Sequence, residues 1–338
     1  MFLTKLSRSK FPNFIVIFFT VSLVLLVLGL SQFVWFGTRH TLLPLWSRSE
    51  NGSLEKWKHY TLVEALENVA ENGTVIVCAA SEPYLPMLNN WLISVKRLQH
   101  HRKVLVIAED YATLYKINRK WPGHAVLIPP SPDSHHAYNF GSRKFFGITS
   151  RRPLYLLQIL ELGYNVFFTD VDLVWMVDPF PYLVGNHDLY IVDDIDKVKP
   201  FNHSHDLPKS GKEGRTRICS GLIYMRPTIG AKLVMAKWIE EIVSHPWTKE
   251  NQANDQRPLN WALMKSIGNV DMYLLPQVAF PSGDIYFKNT TWVQETKGKQ
   301  VVIHNNYVIG VKNKIKRFRK FHLWLVDDYE LESPLGKI

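Results

Sequence analysis

The chain has 338 residues, of which 46% are hydrophobic and 13% aromatic, and it carries a formal net charge of +10. This length and apolar content allow a large packed core, which excludes a mainly disordered protein. Two cysteines are too few for a fold held together by disulfides. The excess of basic charge favours an anionic ligand.

Residues 14–37 form an uncharged apolar segment that is long enough to span a bilayer as a helix. A cleaved signal peptide is the alternative, but its apolar core is usually about 7 to 15 residues long and is followed by an Ala-x-Ala site. Lys5, Arg8 and Lys10 precede the segment, and no acidic residue accompanies them. This charge distribution predicts a type II membrane protein with a cytosolic tail at 1–13.

The remainder of the protein is then expected in the lumen of the secretory pathway, where nucleic acid is not an expected partner. Residues 38–72 lack a sustained strand pattern, so we interpret them as a stem with one helix near 61–71. Residues 73–338 are interpreted as one folded domain. The four N-glycosylation sequons all lie on the luminal side, at Asn51, Asn72, Asn202 and Asn289.

From residue 74 onward, short β-rich runs alternate with segments of helical periodicity. We predict strands at 74–80, 103–108, 125–128, 166–169, 189–192, 218–225 and 301–303, and helices at 85–98, 151–162, 231–243 and 258–267. This alternation predicts an α/β fold with a mostly parallel, wound sheet and helices on both faces. Cys78 and Cys219 lie in two of the runs, either as buried small hydrophobic residues or as one bridge between strands.

Asp170 and Asp172 directly follow the predicted strand at 166–169. If the backbone stays extended, the two side chains point the same way, and two converging carboxylates repel each other unless a divalent cation lies between them. Ligands of wound α/β sheets bind beyond the carboxyl ends of the strands, where these aspartates are expected. In a secretory-pathway protein, the pair suggests a Mn²⁺ or Mg²⁺ ion that binds the diphosphate of a nucleotide sugar.

A second Asp-x-Asp occurs at Asp194 and Asp196, and such a short motif arises easily by chance. It also follows an apolar run, but Asp193 adds to the acidic cluster, and the polar segment 202–217 comes after it. Clusters of like charge are usually solvated, so we predict a solvated loop here.

Several short segments, in a fixed order, resemble one enzyme family. They are 151–153, 162–164, 168–175, 178–183, 219–228, 254–256, 280–283 and 304–306, followed by Lys312 and Lys314. On these segments the protein resembles glycosyltransferases of the nucleotide-diphospho-sugar type, specifically family 77, over about residues 73 to 328. The resemblance implies a GT-A fold, a divalent metal, a type II Golgi topology and retention of the donor's α configuration. It favours Asp170 and Asp172 over the second acidic pair.

The resemblance also suggests roles for individual residues. By analogy with the glycogenin-like family 8, His304 is expected as the third metal ligand, and Lys312 or Lys314 as a cation for the phosphates. The alternative for His304 is a role in packing at the end of a strand. Mixed oxygen and nitrogen ligands suit Mn²⁺ better than Mg²⁺ or Ca²⁺.

Further candidates lie on the donor side of the expected site. Asp255 and Gln256 resemble an acid and amide pair beside the anomeric carbon in related retaining enzymes, although Asp255 could merely cap a helix. Arg152 could contact the phosphates or the sugar, or could be a surface residue. The remaining candidates are Ser81 and Tyr84 for the nucleotide base and ribose, and Gly221 for close backbone approach to the donor.

The sequence therefore predicts a metal-dependent, retaining glycosyltransferase that moves a sugar from a UDP-sugar to a glycan or glycoprotein in the Golgi lumen. Xylose and galactose are the expected sugars, and segments 202–217 and 280–286 are expected to contact the acceptor. One alternative is a catalytically silent Golgi protein of the same fold that binds glycans or a partner enzyme. Another is a nucleotide-sugar hydrolase with the same metal site.

Overall fold

A computed structural model of the protein describes residues 59–130, 134–198 and 218–338. The expected tail, the expected membrane anchor at 14–37, most of the expected stem and the polar segment 202–217 lie outside these residues. Within the described ranges, no helix has the length and apolar character needed to cross a membrane.

Among the described residues, seven strands form the main sheet and two more form a small second sheet. The strands are β1 (Thr74–Ala80), β2 (Val104–Ala108), β3 (Ala125–Leu127), β4 (Asn165–Thr169), β5 (Leu173–Trp175), β6 (Leu189–Asp193), β7 (Ile218–Met225), β8 (Met272–Leu274) and β9 (Val302–His304). The main sheet has the order β3-β2-β1-β4-β7-β6-β8, and β5 pairs with β9. Strand β7 is antiparallel to both its neighbours, while the other neighbouring pairs of the main sheet are parallel. The mostly parallel sheet is confirmed.

Every predicted strand is present, with boundaries shifted by one residue at most. The α-helices are α1 (Leu62–Val69), α2 (Leu85–Arg97), α3 (Tyr111–Lys120), α4 (Arg143–Thr149), α5 (Arg152–Glu161), α6 (Ile229–Ser244), α7 (Pro246–Asn251), α8 (Gln256–Lys265), α9 (Gly283–Lys288), α10 (Thr290–Glu295), α11 (Val311–Lys320) and α12 (Val326–Tyr329). The predicted helices correspond to α1, α2, α5, α6 and α8.

The core lies on both faces of the main sheet, because successive residues of a strand point to opposite sides. In β1, Ile76 and Cys78 pack in one cluster with α2 and α11. Val75 and Val77 pack in the other cluster, with α1, α5, α6 and α8. Helices therefore cover both faces, as expected for a wound α/β fold.

Helix α1 lies in the region that we interpreted as a stem. Thr61 caps it, since its Oγ1 accepts a hydrogen bond from the Glu64 backbone N at 3.2 Å while the Glu64 carboxylate accepts one from the Thr61 backbone N at 2.9 Å. Leu66 of this helix is 0% exposed and belongs to the core. The boundary that we placed at residue 73 therefore falls after the first core helix.

Candidate active site

The two aspartates of the first acidic pair lie at the end of β4, in the middle of the main sheet. The backbone turns at Val171 and Asp172 instead of staying extended, and β5 then begins at Leu173. Their backbones are fixed from two sides, because Asp170 N donates to Gly221 O at 2.8 Å and Asn305 N donates to Asp172 O at 2.9 Å. The carboxylates converge through this turn and not through strand alternation.

Strand β9 brings His304 to the same place. His304 is paired in register with Leu173, the residue after Asp172. Its Nε2 lies 3.3 Å from Asp172 Oδ1 and 4.0 Å from Asp170 Oδ2. One ligand atom from each of the three side chains lies within 4.8 Å of the others. Two carboxylates and an imidazole so arranged are a suitable donor set for a divalent ion such as Mn²⁺.

The electrostatics of this triad also fit a bound cation. Burial opposes ionisation of Asp172, but Lys314 and His304 outweigh it and hold the pKa of Asp172 well below its usual range. Burial likewise opposes protonation of His304, but Asp172 raises the pKa of His304 well above the ordinary value. His304 and Lys314 therefore place positive charge around Asp172. A bound metal ion would take the place of the proton on the His304 imidazole.

The other ring nitrogen of His304 faces a cysteine. Cys219 Sγ lies 3.5 Å from His304 Nδ1. Cys219 and Cys78 are both free and buried, so the bridge between strands is not formed. With Nδ1 directed at sulfur, Nε2 is the nitrogen that faces the aspartates.

Arg152 connects the aspartates to the expected sugar side of the site. It is the first residue of α5 and is only 7% exposed, so the surface alternative is wrong. Its Nη2 donates to Asp170 Oδ1 at 2.9 Å, and its Nη1 donates to Asp255 Oδ2 at 3.0 Å. Nη1 also donates to the backbone oxygen of Ser220 at 3.0 Å. One buried guanidinium thus fixes two carboxylates that are distant in sequence.

Asp255 immediately precedes α8, but its side chain makes no capping hydrogen bond. It is 3% exposed and faces Arg152, so the helix-cap alternative does not describe it. Burial raises the pKa of Asp255, although Arg152 opposes that increase. Gln256 accepts a hydrogen bond from Ser220 N through Oε1 at 3.1 Å and donates from Nε2 to Asp194 Oδ2 at 2.7 Å.

The second acidic cluster is only in part the solvated loop that we expected. Asp193 is the last residue of β6 and is 2% exposed. Asp194 accepts from Asn306 Nδ2 at 2.7 Å in addition to Gln256, and burial raises its pKa. Only Asp196 of the three is exposed. The prediction holds for Asp196 and was wrong for Asp194, because amide donors from distant segments replace water around the Asp194 carboxylate.

Gly221 lies in β7, opposite the triad. A Cβ at this position would lie 2.5 Å from Asp170 Oδ2 and 2.8 Å from His304 Cε1. The absent side chain therefore makes room for these two candidate metal ligands. We expected the glycine to allow approach of the donor, whereas the structure places protein side chains against it.

The two candidate lysines both belong to α11, but they differ in position. Lys314 Nζ contacts the Asp172 carboxylate and donates to Asn305 O at 3.0 Å. Lys312, two residues earlier, is exposed. Since residues two apart on a helix point to different sides, the structure brings Lys314 to the triad and leaves Lys312 in solvent.

The two candidates for the nucleotide lie after β1. Ser81 is 2% exposed. Burial raises the pKa of Tyr84 to about 12, and Asp172 and Asp170 add to the increase. The Tyr84 hydroxyl donates to Tyr138 O at 3.3 Å. Tyr84 thus lies near the two aspartates.

Residues 99–318 match the family model described as nucleotide-diphospho-sugar transferase. The protein belongs to this family. It is similar to the UDP-D-xylose:L-fucose alpha-1,3-D-xylosyltransferase MGP4 of Arabidopsis thaliana, at 64% identity over 85% of this chain and 79% of that protein. It is also similar to the UDP-D-xylose:L-fucose alpha-1,3-D-xylosyltransferase 1 of the same plant, at 60% identity over 90% of this chain and 85% of that protein. A more distant relative is the UDP-galactose:fucoside alpha-3-galactosyltransferase of Dictyostelium discoideum, at 27% identity over 59% of this chain and 31% of that protein.

These similarities confirm the resemblance to glycosyltransferase family 77. This family member is an enzyme with an α/β fold, and it transfers a sugar from a UDP-sugar to a glycan acceptor. The catalytically silent alternative is therefore set aside.

Proposed function

We propose that the enzyme transfers xylose from UDP-xylose to an L-fucose unit of a glycan and forms an α-1,3 linkage. The observation that supports this most directly is the 64% identity, over 85% of the sequence, to a protein whose name states this donor, acceptor and linkage. The Dictyostelium relative has a different donor but also acts on a fucoside. Of the two sugars expected from the sequence, xylose is favoured over galactose.

The proposed enzyme depends on a divalent ion. Asp170, Asp172 and His304 would hold Mn²⁺, or less favourably Mg²⁺, which when bound supplies positive charge beside the departing diphosphate. Lys314 adds a second positive charge next to Asp172. When a metal neutralises the aspartate, we expect the Lys314 ammonium group to contact phosphate oxygens of the donor.

The residues of the protein itself orient the sugar and its surroundings. Arg152 fixes the Asp255 carboxylate, which we expect to accept hydrogen bonds from hydroxyls of the donor sugar. Gln256 presents a rigidly held amide group next to it, where it can stabilise the positive charge that develops at the anomeric carbon. Transfer with retention follows either through a covalent intermediate or through attack of the acceptor on the same face, as in related retaining enzymes.

We further propose that the enzyme is a Golgi membrane protein of type II, anchored by residues 14–37. The length of the uncharged segment and the preceding lysines and arginine support this topology. Protease treatment of intact microsomes tests it. We expect residues 38–338 to be protected from the protease. Their digestion in the absence of detergent would show the opposite orientation.

The activity is tested with the full-length protein in detergent, methyl α-L-fucoside, Mn²⁺, and either UDP-xylose or UDP-galactose. We expect a xylosylated product, and NMR of that product should show an α-1,3 linkage. Transfer from UDP-galactose alone would overturn the donor assignment, and UDP-xylose hydrolysis without transfer would overturn the acceptor assignment. Chelation should abolish the reaction, and added Mn²⁺ should restore it.

The metal site has a separate binding test. A ligand that binds only the folded state raises the melting temperature, so UDP with Mn²⁺ should stabilise the protein more than either component alone. The Asp172→Asn variant keeps the size of the side chain but removes its charge, and this joint shift should disappear. An undiminished shift in that variant would remove Asp172 from the metal site.

A further inference from the structure

A tyrosine beside the candidate active site has no role in the function proposed above. Tyr307 follows His304 by three residues, and its side chain is 45% exposed. We propose that its ring is the platform on which the acceptor sugar stacks. This inference rests on the proposed function, because it assigns the acceptor side of the same site.

Hydrogen bonds connect this ring to the reacting centre. The Tyr307 hydroxyl donates to Asp194 O at 2.8 Å. The side chain of the same aspartate accepts from Gln256 at 2.7 Å. Tyr307 and Gln256 are therefore both held by Asp194, the ring through the backbone oxygen and the amide through the carboxylate. An acceptor lying against the ring would be separated from the amide only by Asp194.

The backbone of Tyr307 fixes the ring further. Its φ is +58°, a left-handed conformation that residues other than glycine rarely adopt and that is common at ligand sites when it occurs. The preceding residue, Asn306, is tied on both sides, since its Oδ1 accepts from Gly283 N at 2.6 Å and its Nδ2 donates to Asp194 at 2.7 Å. The ring is thus held in a fixed direction, although nearly half of its surface is open to solvent.

A fixed, exposed aromatic face suits a sugar with an apolar side. L-fucose directs the C–H bonds at C3, C4 and C5 toward one side of its ring, and it carries a methyl group in place of a hydroxymethyl group, so that side is largely hydrocarbon. Tyrosine combines an apolar body with a polar end that here is already hydrogen-bonded within the protein. The ligand class indicated is a deoxyhexose at the end of a glycan, bound through its carbon-bound hydrogens.

The test separates acceptor binding from donor binding in the full-length protein. Tyr307→Asn removes the ring and keeps a residue that tolerates a positive φ. We expect its KM for methyl α-L-fucoside to rise about tenfold, equivalent to ~1.4 kcal/mol. Its KM for UDP-xylose and its acceptor-free hydrolysis of UDP-xylose should stay within about twofold of the wild type. Tyr111→Asn is the matched control, because Tyr111 is 58% exposed and lies at the start of α3.

A second variant keeps the test decisive if the first does not fold. Tyr307→Phe retains the ring and loses only the hydroxyl, so its acceptor KM should stay within about threefold of the wild type. An unchanged acceptor KM in Tyr307→Asn, equal increases of both KM values, or a tenfold increase in Tyr307→Phe would each overturn the inference. Failure of the wild type to use the fucoside would instead overturn the proposed function.

Discussion

Asp194 and Gln256 are joined by a hydrogen bond of 2.7 Å from Gln256 Nε2 to Asp194 Oδ2. The other oxygen of the aspartate accepts from Asn306 Nδ2, also at 2.7 Å. Gln256 is held at its opposite end as well, because its Oε1 accepts from Ser220 N. The orientation of the amide is therefore set by the protein before any substrate binds, and the carboxylate that sets it belongs to the acidic cluster after β6.

Asp194→Asn should lower kcat without weakening UDP binding. An asparagine has one acceptor oxygen for two amide donors, so its own amide group would face either Gln256 or Asn306. A buried donor left without a partner costs about 1–3 kcal/mol, and a displaced catalytic group can lose about 100-fold in rate. Steady-state kinetics and calorimetric titration with UDP and Mn²⁺ measure the two effects separately.

A reciprocal exchange distinguishes orientation from charge. In the double variant D194N/N306D, position 194 can accept from Gln256 and donate to position 306, which can still accept from Gly283 N. We expect the double variant to recover much of kcat. Asp196→Asn, an exposed member of the same cluster, should behave as the wild type. A double variant as slow as the single one would mean that the charge of Asp194 itself takes part in the reaction.

Gly221→Ala should disrupt the triad while leaving the fold intact. The added methyl would lie 2.5 Å from Asp170 Oδ2 and 2.8 Å from His304 Cε1, so both side chains would have to move. Displacements of about 1 Å can lower activity about 100-fold. We expect weaker binding of Mn²⁺ with UDP and a large loss of kcat, with a melting temperature close to that of the wild type.

Gly147→Ala is the matched control for that substitution. Gly147 lies in α4, and a Cβ there would meet no atom within 4 Å. Alanine in a helix interior is favoured over glycine by roughly 0.5–1 kcal/mol, so this variant should be slightly more stable and fully active. Normal metal binding in Gly221→Ala would show that the two ligands can shift without loss of the site.

Lys314→Met and Lys312→Met form a pair that differs by two positions on one helix. Lys314 lies against Asp172, whereas Lys312 is exposed. Loss of the Lys314 charge should raise the KM for UDP-xylose by about 10- to 100-fold, since a charge-assisted hydrogen bond is worth about 1.5–3 kcal/mol. Lys312→Met should change neither KM nor kcat. Equal effects of the two substitutions would indicate a general role of the basic helix and not a specific phosphate contact.

The strands and the acidic pair after β4 were predictable because their signals are local. A run of apolar residues ending in two aspartates specifies a buried strand and the polar residues at its end without reference to any other part of the sequence. Lys312 and Lys314 could not be distinguished in the same way. Both stand in one basic segment, and only the helical periodicity of α11 separates them.

The roles of Asp194 and Arg152 depend on contacts that no short segment contains. Asp194 meets Gln256 across 62 residues and Asn306 across 112, and Arg152 meets Asp255 across 103. Each of these side chains is charged, which in a sequence suggests exposure to solvent, but in the structure each is surrounded by hydrogen-bonding partners from the protein. Charge clusters are usually solvated, so a sequence pattern favours the wrong environment wherever distant donors replace water.

Asp193 should make the stability of the protein depend on pH. Burial raises its pKa to about 6 from the ordinary 3.8. The folded state therefore holds the proton more tightly than the unfolded state, and the residue lowers the free energy of unfolding as the pH rises from about 4 to about 6. Asp193→Asn removes this titration, so the variant should gain stability relative to the wild type across that window, by about 3 kcal/mol at ~1.4 kcal/mol per pKa unit.

Urea denaturation at several pH values between about 4 and about 8 measures this gain. The gain should begin near the lower limit of the window and stay constant above about pH 6, where Asp193 is ionised in both states. Asp196→Asn is the control, because its side chain is exposed. The carboxylate oxygen Oδ1 of Asp193 accepts from Ile195 N and Gln277 Nε2, and asparagine can keep both contacts. A difference in stability that is independent of pH would mean that Asp193 is ionised in the folded protein throughout the range.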